Sequence, residues 1–135
     1  MKKLLTTNYS AGAFNFATLL LRLSFGILMM NHGYAKLSHF NETAANMPHI
    51  FGMSGSVTTA LVIFAEFFCS LFIVLGLFTR LACVPLIICM AYALFKAHNG
   101  EVFGDGEKAA LFLTAYFVLI MVGPGKVSVD SMAGK

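Results

Sequence analysis

Charged residues are scarce in this chain of 135 residues. Only 11% of the residues are charged, 59% are hydrophobic, and the mean hydropathy is +0.82. Soluble domains carry roughly 25% charged residues, and a soluble fold needs a polar surface that so few charges barely supply. The composition therefore argues against a soluble domain and favours a chain whose solvent is the lipid bilayer.

Several signatures of catalysis and binding are also missing. The three cysteines, Cys69, Cys83 and Cys89, form no CxxC, which argues against a dithiol redox motif or a zinc site. We find no phosphate-binding glycine loop, no HExxH and no GxSxG. The net charge of +3 follows from membrane topology and does not indicate nucleic acid binding. We therefore predict no metal site, and no motif assigns a catalytic residue.

The hydrophobic residues form four blocks that predict membrane-spanning helices, at about residues 14–34, 57–78, 81–98 and 107–123. A span needs ~20 residues, and lipid offers the backbone no hydrogen-bond partner outside a helix. The last two blocks are short and depend on flanking charged residues whose long side chains reach the interface. We predict an all-α, integral membrane four-helix bundle that forms one domain over residues 1–135.

Turn signals separate the predicted spans. Gly76 and the short link after it predict an antiparallel hairpin of spans two and three, and Gly123-Pro124-Gly125 ends span four. The longer connection between spans one and two predicts a short interfacial helix over residues 43–51, interrupted near Pro48.

The distribution of lysine and arginine predicts the orientation. The positive-inside rule places the side with more of these residues in the cytoplasm, so that both termini are cytoplasmic. The first span contains Arg22 and no clear cleavage site follows it, so we interpret it as a retained span rather than a signal peptide. The cytoplasmic set is Lys2, Lys3, Arg80, Lys126 and Lys135, and the opposite set is Lys36, Lys96 and Lys108.

Arg22 and Glu66 are the ionisable residues deepest in the predicted spans. A lone arginine at the bilayer centre costs roughly 2.5–3.5 kcal/mol on insertion scales. An opposite charge is the cheapest remedy, because a guanidinium fits a carboxylate through two parallel hydrogen bonds. We predict that Arg22 and Glu66 face each other near the middle of the membrane.

Polar residues extend this pair into a predicted pocket. Gly26, Gly33 and Lys36 share one face of the first span with Arg22, and the two glycines leave room for a close neighbour or a ligand. The pocket opens outward, with Arg22 and Glu66 at its bottom and His32, Lys36, His98 and Glu107 near its mouth. An alternative stays open, in which the ion pair only holds two helices in register and the histidines are interfacial.

Five segments together resemble DoxX-like membrane proteins: LLLRLSFGILMMNHGYAKL, AEFFCSLFIVLGLFTRLA, FKAHNG, GEKAALFL and GPGKVSVD. The resemblance covers about residues 15–131 and implies a four-helix membrane bundle. It also implies that the charged positions of the family recur here at Arg22, His32, Lys36, Glu66, Arg80, His98, Glu107 and Lys108. The family takes its name from a subunit associated with an archaeal terminal quinol oxidase, and some members are linked to membrane redox and thiol-stress complexes.

The residues and the resemblance lead to three hypotheses. The first is a multi-pass protein of the bacterial inner membrane that serves a membrane redox system, as an accessory subunit or as a protein that binds quinone or another small molecule. The second is a transporter or binder of a small polar solute, and the third is a purely structural assembly protein. Quinone is the cofactor class indicated; the expected partners are the lipid bilayer and either other redox subunits or a second copy. Enzymatic activity stays open, at most as a subunit of a membrane oxidoreductase.

Overall fold

The computed structural model describes residues 2–134, which are all-α: helices and loops, with no strand within that range. This confirms the all-α part of the predicted fold class. The principal helices are α1 (Ala11–Ser38), α2 (Phe40–Asn46), α3 (Gly55–Leu75), α4 (Thr79–Ala97) and α5 (Glu107–Val122). Short helical turns cover Lys2–Leu5, Ile50–Gly52 and Val129–Met132.

Three helices, α1, α3 and α4, are long and apolar enough to cross a membrane. The fourth long helix, α5, has 16 residues and packs against α4 and α1. Large apolar side chains cover the outside of these helices, which is the reverse of a soluble surface. On α5 the outward-facing group is Leu111, Phe117, Val118 and Met121.

Local sequence explains where the helices begin and end. The Ser10 hydroxyl accepts a hydrogen bond from the Ala13 N–H at the start of α1, and Ser54 caps α3 in the same way through Val57. Gly76 ends α3 in the left-handed conformation with φ 74°, and α4 begins three residues later. Gly123, with φ 80°, ends α5, as the Gly-Pro-Gly sequence predicts.

The connection between α1 and α3 contains the short helix expected there, displaced toward the N-terminus. Helix α2 begins at Phe40 and ends at Asn46, because Met47 is extended ahead of Pro48. The residue before a proline avoids the helical region, so the proline fixes this boundary. Phe51 and Gly52 then turn the chain with positive φ angles of 54° and 76°.

Helices α1 and α3 are antiparallel and very close. A Cβ added at Gly26 would lie 2.6 Å from Val74 Cγ2, and one at Gly33 would lie 2.7 Å from the Phe67 backbone nitrogen. This confirms the close approach predicted at the two glycines. Met29, between them, is buried in the core with side chains from α3, α4 and α5, among them Ile73, Leu86, Tyr116 and Leu119.

Replacing Gly33 with alanine tests this contact. Because the new methyl group would overlap backbone atoms of Phe67, the helices must separate, and we expect a loss of about 1–3 kcal/mol of stability. Thermal unfolding of the purified protein in detergent measures it. Gly12→Ala is the matched control, since a Cβ there meets nothing within 4 Å. Equal unfolding midpoints for the two variants would contradict the close packing.

Candidate functional site

The predicted Arg22–Glu66 pair is wrong. Arg22 Nη1 donates to the carbonyl oxygens of Pro124 at 2.8 Å and Val127 at 2.6 Å, and Nη2 donates to the Val74 carbonyl oxygen at 3.4 Å. Among the described residues, no carboxylate lies within 4.0 Å of the guanidinium. Arg22 is nevertheless 2% exposed, so main-chain carbonyls satisfy most of its donors in the protein interior.

The register of α1 and α3 explains this correction. Arg22 is level with Val74, whereas Glu66 is level with Gly33, two turns away along α3. Eight residues of helix separate Glu66 from Val74, or ~12 Å at ~1.5 Å per residue. The prediction placed both residues near the middle of the membrane and so at the same depth, but the register of α1 and α3 offsets them by two turns.

The segment 123–132 folds back to meet Arg22. In addition to the two carbonyls that bind Arg22, the segment contributes Asp130. Its carboxylate accepts hydrogen bonds from the backbone N–H groups of Phe78 at 2.9 Å and Thr79 at 3.2 Å. The Asp130 N–H donates to the Gly76 carbonyl oxygen at 3.0 Å. This segment, named here the C-terminal clasp, therefore ties α1 to the turn between α3 and α4 at one end of the bundle, the Arg22 end.

Clefts flank the C-terminal clasp on both sides. One, of about 340 Å³, is lined by Phe78, Thr79, Arg80, Leu81, Pro124 and Asp130. The other, of about 350 Å³, is lined by Tyr9, Ala11, Phe14, Asn15, Gly125 and Lys126. Both lie at the Arg22 end, whereas the predicted pocket opens at the opposite end of α1.

Glu66 instead forms an ion pair with Lys36. The Lys36 ammonium lies 3.0 Å from Oε1 and 2.6 Å from Oε2 of Glu66, so it straddles the carboxylate, and only the Oε1 contact has hydrogen-bond geometry. The Glu66 side chain is 6% exposed and that of Lys36 is 29% exposed. The pair therefore sits in the protein interior with its cation toward the surface, at what we name the Lys36 end.

His32 joins this pair from one turn earlier on α1. Its ring packs edge-on against Phe112 of α5, with centroids 5.9 Å apart, and Phe112 packs edge-on against Phe25 at 5.4 Å. Glu66, Lys36 and Lys108 all act electrostatically on the imidazole. We name His32, Lys36 and Glu66 the charged triad after the Lys36–Glu66 ion pair; His32 adds an imidazole beside aromatic rings.

The other predicted pocket residues lie around the triad without a described contact to it. His98 is half-buried just after α4, and Glu107 is exposed in the first turn of α5. Arg22 belongs to the opposite end. Within residues 2–134, no group of three or more His, Cys, Asp or Glu side chains is placed to hold a metal ion.

Glu66 lies in a stretch of π-helix, Phe64–Cys69, inside α3. Such wide turns are rare and are frequent at functional sites. One turn beyond it, the Ser70 hydroxyl is fully buried and makes no hydrogen bond of good geometry, although it lies beside the Tyr116 hydroxyl. Tyr116 itself donates to the Phe25 carbonyl oxygen at 3.4 Å.

Two contributors to these arrangements, Asp130 and Tyr116, were not predicted from the sequence. Asp130 had a usable signal, because Ser128-Val129-Asp130 places a capping serine and an acid close to the Gly-Pro-Gly turn, with two residues between. Ser70 shares a helix face with Glu66, four residues away. Tyr116 had no signal in its own helix, since an aromatic residue in an apolar run is typical of simple packing.

These features define a class: an apolar, all-helical integral membrane protein with charged side chains buried between its helices. The DoxX family model matches residues 17–99, which is more than half of the chain, and the chain belongs to the DoxX family. An uncharacterized protein of Haemophilus influenzae (strain ATCC 51907 / DSM 11121 / KW20 / Rd) is 30% identical over 121 residues, covering 82% of this chain and 86% of the relative. No solved structure matches the chain.

Replacing Arg22 with lysine tests the C-terminal clasp. A single ammonium cannot reach carbonyls on both α3 and the clasp, and hydrogen bonds to charged groups contribute ~1.5–3 kcal/mol each. We expect trypsin to cleave after Lys126 at least tenfold faster in the variant, measured by mass spectrometry on the purified protein. Arg80→Lys is the control, because Arg80 is exposed and its described hydrogen bond, to Met121, is 3.5 Å long. Unchanged cleavage in Arg22→Lys would show that these bonds do not hold the clasp.

Proposed function

We propose that this DoxX family protein crosses the bacterial inner membrane four times, with both termini in the cytoplasm. The apolar outer faces of α1, α3 and α4 support three crossings, and the exposed apolar side chains of α5 support a fourth. At ~1.5 Å per residue, α5 measures about 24 Å, so Glu107 and Lys108 must extend toward the interface at one end. The excess of Lys and Arg at the Arg22 end supports a cytoplasmic location for that end, and the Haemophilus relative supports a bacterial membrane.

Cysteine labelling tests the orientation. In a variant without the native cysteines, Gly104→Cys places a thiol in the exposed loop between α4 and α5, and Gly12→Cys places one near the start of α1. We expect a membrane-impermeant maleimide to label residue 104 in intact spheroplasts and residue 12 in inverted vesicles. Labelling of both residues from the same side would contradict the four-span arrangement.

We propose further that the charged triad binds the head group of a quinone, as part of a membrane redox system. The observation that best supports this proposal is the buried Glu66 carboxylate, which is held by Lys36 near His32 and Phe112. The donor set fits such a ligand. Lys36 and His32 offer N–H donors to a carbonyl oxygen, Glu66 accepts from a hydroxyl, and Phe25 and Phe112 provide an aromatic wall.

The residues act here as binding and proton-exchanging groups. Lys36 is the more exposed member of the pair, so a head group approaches from the Lys36 side. It then accepts hydrogen bonds from the Lys36 ammonium, whose N–H groups now point to Glu66. Glu66 then holds or releases the proton of the bound hydroxyl, and Lys36 stabilises its ionised form. The quinone supplies two-electron redox chemistry when bound, and we assign the electron transfer to a partner subunit.

A binding titration tests the quinone proposal. We expect a short-chain ubiquinone analogue to bind the purified wild-type protein in nanodiscs, measured by isothermal titration calorimetry. Glu66→Gln and Lys36→Met should each weaken binding at least tenfold, because each removes a charged hydrogen-bond partner, which is worth ~1.5–3 kcal/mol. Glu101→Gln is the matched control, an exposed carboxylate in the loop between α4 and α5.

The outcomes separate the competing functions. No binding by the wild type, or equal binding by wild type and Glu66→Gln, would remove the quinone proposal. Thermal stabilisation by a small zwitterionic solute that is lost in Lys36→Met would favour a polar-solute binder, since the Lys36–Glu66 pair is complementary to a zwitterion. Full function of a stable Lys36→Leu/Glu66→Leu double variant in cells would favour a structural role.

A further inference from the structure

A line of polar side chains runs along the inner face of α3. Thr59, Glu66 and Ser70 are spaced by seven and four residues, and their exposures are 0%, 4% and 0%. The spacing places them on one side of the helix, facing the core rather than the outside of the bundle. Polar residues buried within a membrane helix are costly, and they either hydrogen-bond to neighbouring helices or mark pathways for ions or protons.

The hydroxyl groups of Thr59 and Ser70 do not hydrogen-bond to carbonyl oxygens of their own helix. Thr18 and Thr114 donate back to carbonyl oxygens of their own helices, at 3.1 Å to Phe14 and 2.9 Å to Ala110. Thr59 Oγ1 and Ser70 Oγ make no such bond, and neither makes a hydrogen bond of good geometry in the described part of the chain. Buried hydroxyls in proteins are normally hydrogen-bonded, often by ordered water. Ser70 Oγ therefore keeps its hydrogen-bonding capacity for the neighbouring Tyr116 hydroxyl or for internal water, one turn from Glu66.

Tyr116 extends the line from the opposite helix. Its hydroxyl lies beside Ser70, and its bond of 3.4 Å to the Phe25 carbonyl oxygen is longer than the roughly 2.5–3.0 Å usual for hydroxyl donors. Because this bond is weak, the hydroxyl can turn toward Ser70. Glu66, Ser70 and Tyr116 then form a series of groups that can each accept one proton and release another.

Arg22 lies at the end of this series that faces the C-terminal clasp. Its Nη2 bonds to the carbonyl of Val74, one turn beyond Ser70, and its Nε is buried without a partner. The three bonding partners are neutral carbonyls, and Asp130, the acid that acts on Arg22 electrostatically, is engaged with the N–H groups of Phe78 and Thr79. Arg22 therefore has no carboxylate within 4.0 Å among the described residues, and Asp130 offsets its positive charge only through space, at the point where the polar line reaches the C-terminal clasp.

We propose that Glu66, Ser70 and Tyr116 form a proton path open at the Lys36 end, and that the charge of Arg22 blocks its other end. A fixed guanidinium repels an excess proton, as in pores that exclude cations. Protons then exchange with Glu66 from one side of the membrane only, and the bundle does not leak. The proposal rests on a bundle that crosses the membrane, and cysteine labelling tests the crossings of α1, α3 and α4 separately; it does not require quinone binding.

Proton flux into liposomes tests this path. The purified variants are reconstituted into vesicles containing pyranine, and a potassium diffusion potential set with valinomycin drives protons inward. We expect wild-type vesicles to match protein-free vesicles, and Arg22→Gln and Arg22→Met to raise the flux at least tenfold. Adding Ser70→Ala or Glu66→Gln to Arg22→Gln should return the flux to the wild-type level, because each removes a group in the path.

Arg22→Lys separates charge from structure. It disrupts the carbonyl bonds that hold the clasp but retains the positive charge, so its flux should stay at the wild-type level. Flux in Arg22→Lys equal to that in Arg22→Gln would overturn the charge barrier. A leak in Arg22→Gln that persists undiminished with Ser70→Ala would overturn the path, and no increase in either Arg22→Gln or Arg22→Met would overturn both.

Discussion

A guanidinium in an apolar environment must find hydrogen-bond acceptors inside the protein, and this requirement organises one end of the molecule. Arg22 obtains them from main-chain carbonyls at three places, Val74, Pro124 and Val127. Two of these carbonyls exist at that position only because the chain turns back after Gly123. The C-terminal clasp is thus part of the core of the fold, although its sequence is short and irregular.

The two ends of the bundle treat their buried charges differently. At the Arg22 end, the cation is surrounded by neutral acceptors, and Asp130 is satisfied by backbone N–H groups. At the Lys36 end, a carboxylate and an ammonium pair directly, and the ammonium remains partly exposed. The first arrangement is enclosed and suits a permanent structural role, whereas the second can exchange its partners with a small molecule.

Much of the fold could be predicted from the sequence, because hydrophobicity and turn residues are local properties. The all-α class and the ends of helices at Gly76 and Gly123 follow from composition and from residues adjacent to each boundary. The partners of the charges could not be predicted, because they depend on the relative register of α1 and α3. Because of an offset of two turns, Val74 rather than Glu66 lies opposite Arg22, and Lys36 is the cation nearest to the Glu66 carboxylate. Every residue has a main-chain carbonyl, so the sequence did not indicate that those of Pro124 and Val127 bind Arg22.

The position of the clasp along the chain has a consequence for biosynthesis. Arg22 is synthesised about a hundred residues before Pro124 and Val127, so α1 can enter the membrane before these acceptors exist. Until then the guanidinium lacks its main acceptors, and insertion must proceed with an unsatisfied cation or with lipid phosphate and water as temporary substitutes. A chain that lacked the clasp would leave the Arg22 guanidinium without two of its three carbonyl partners.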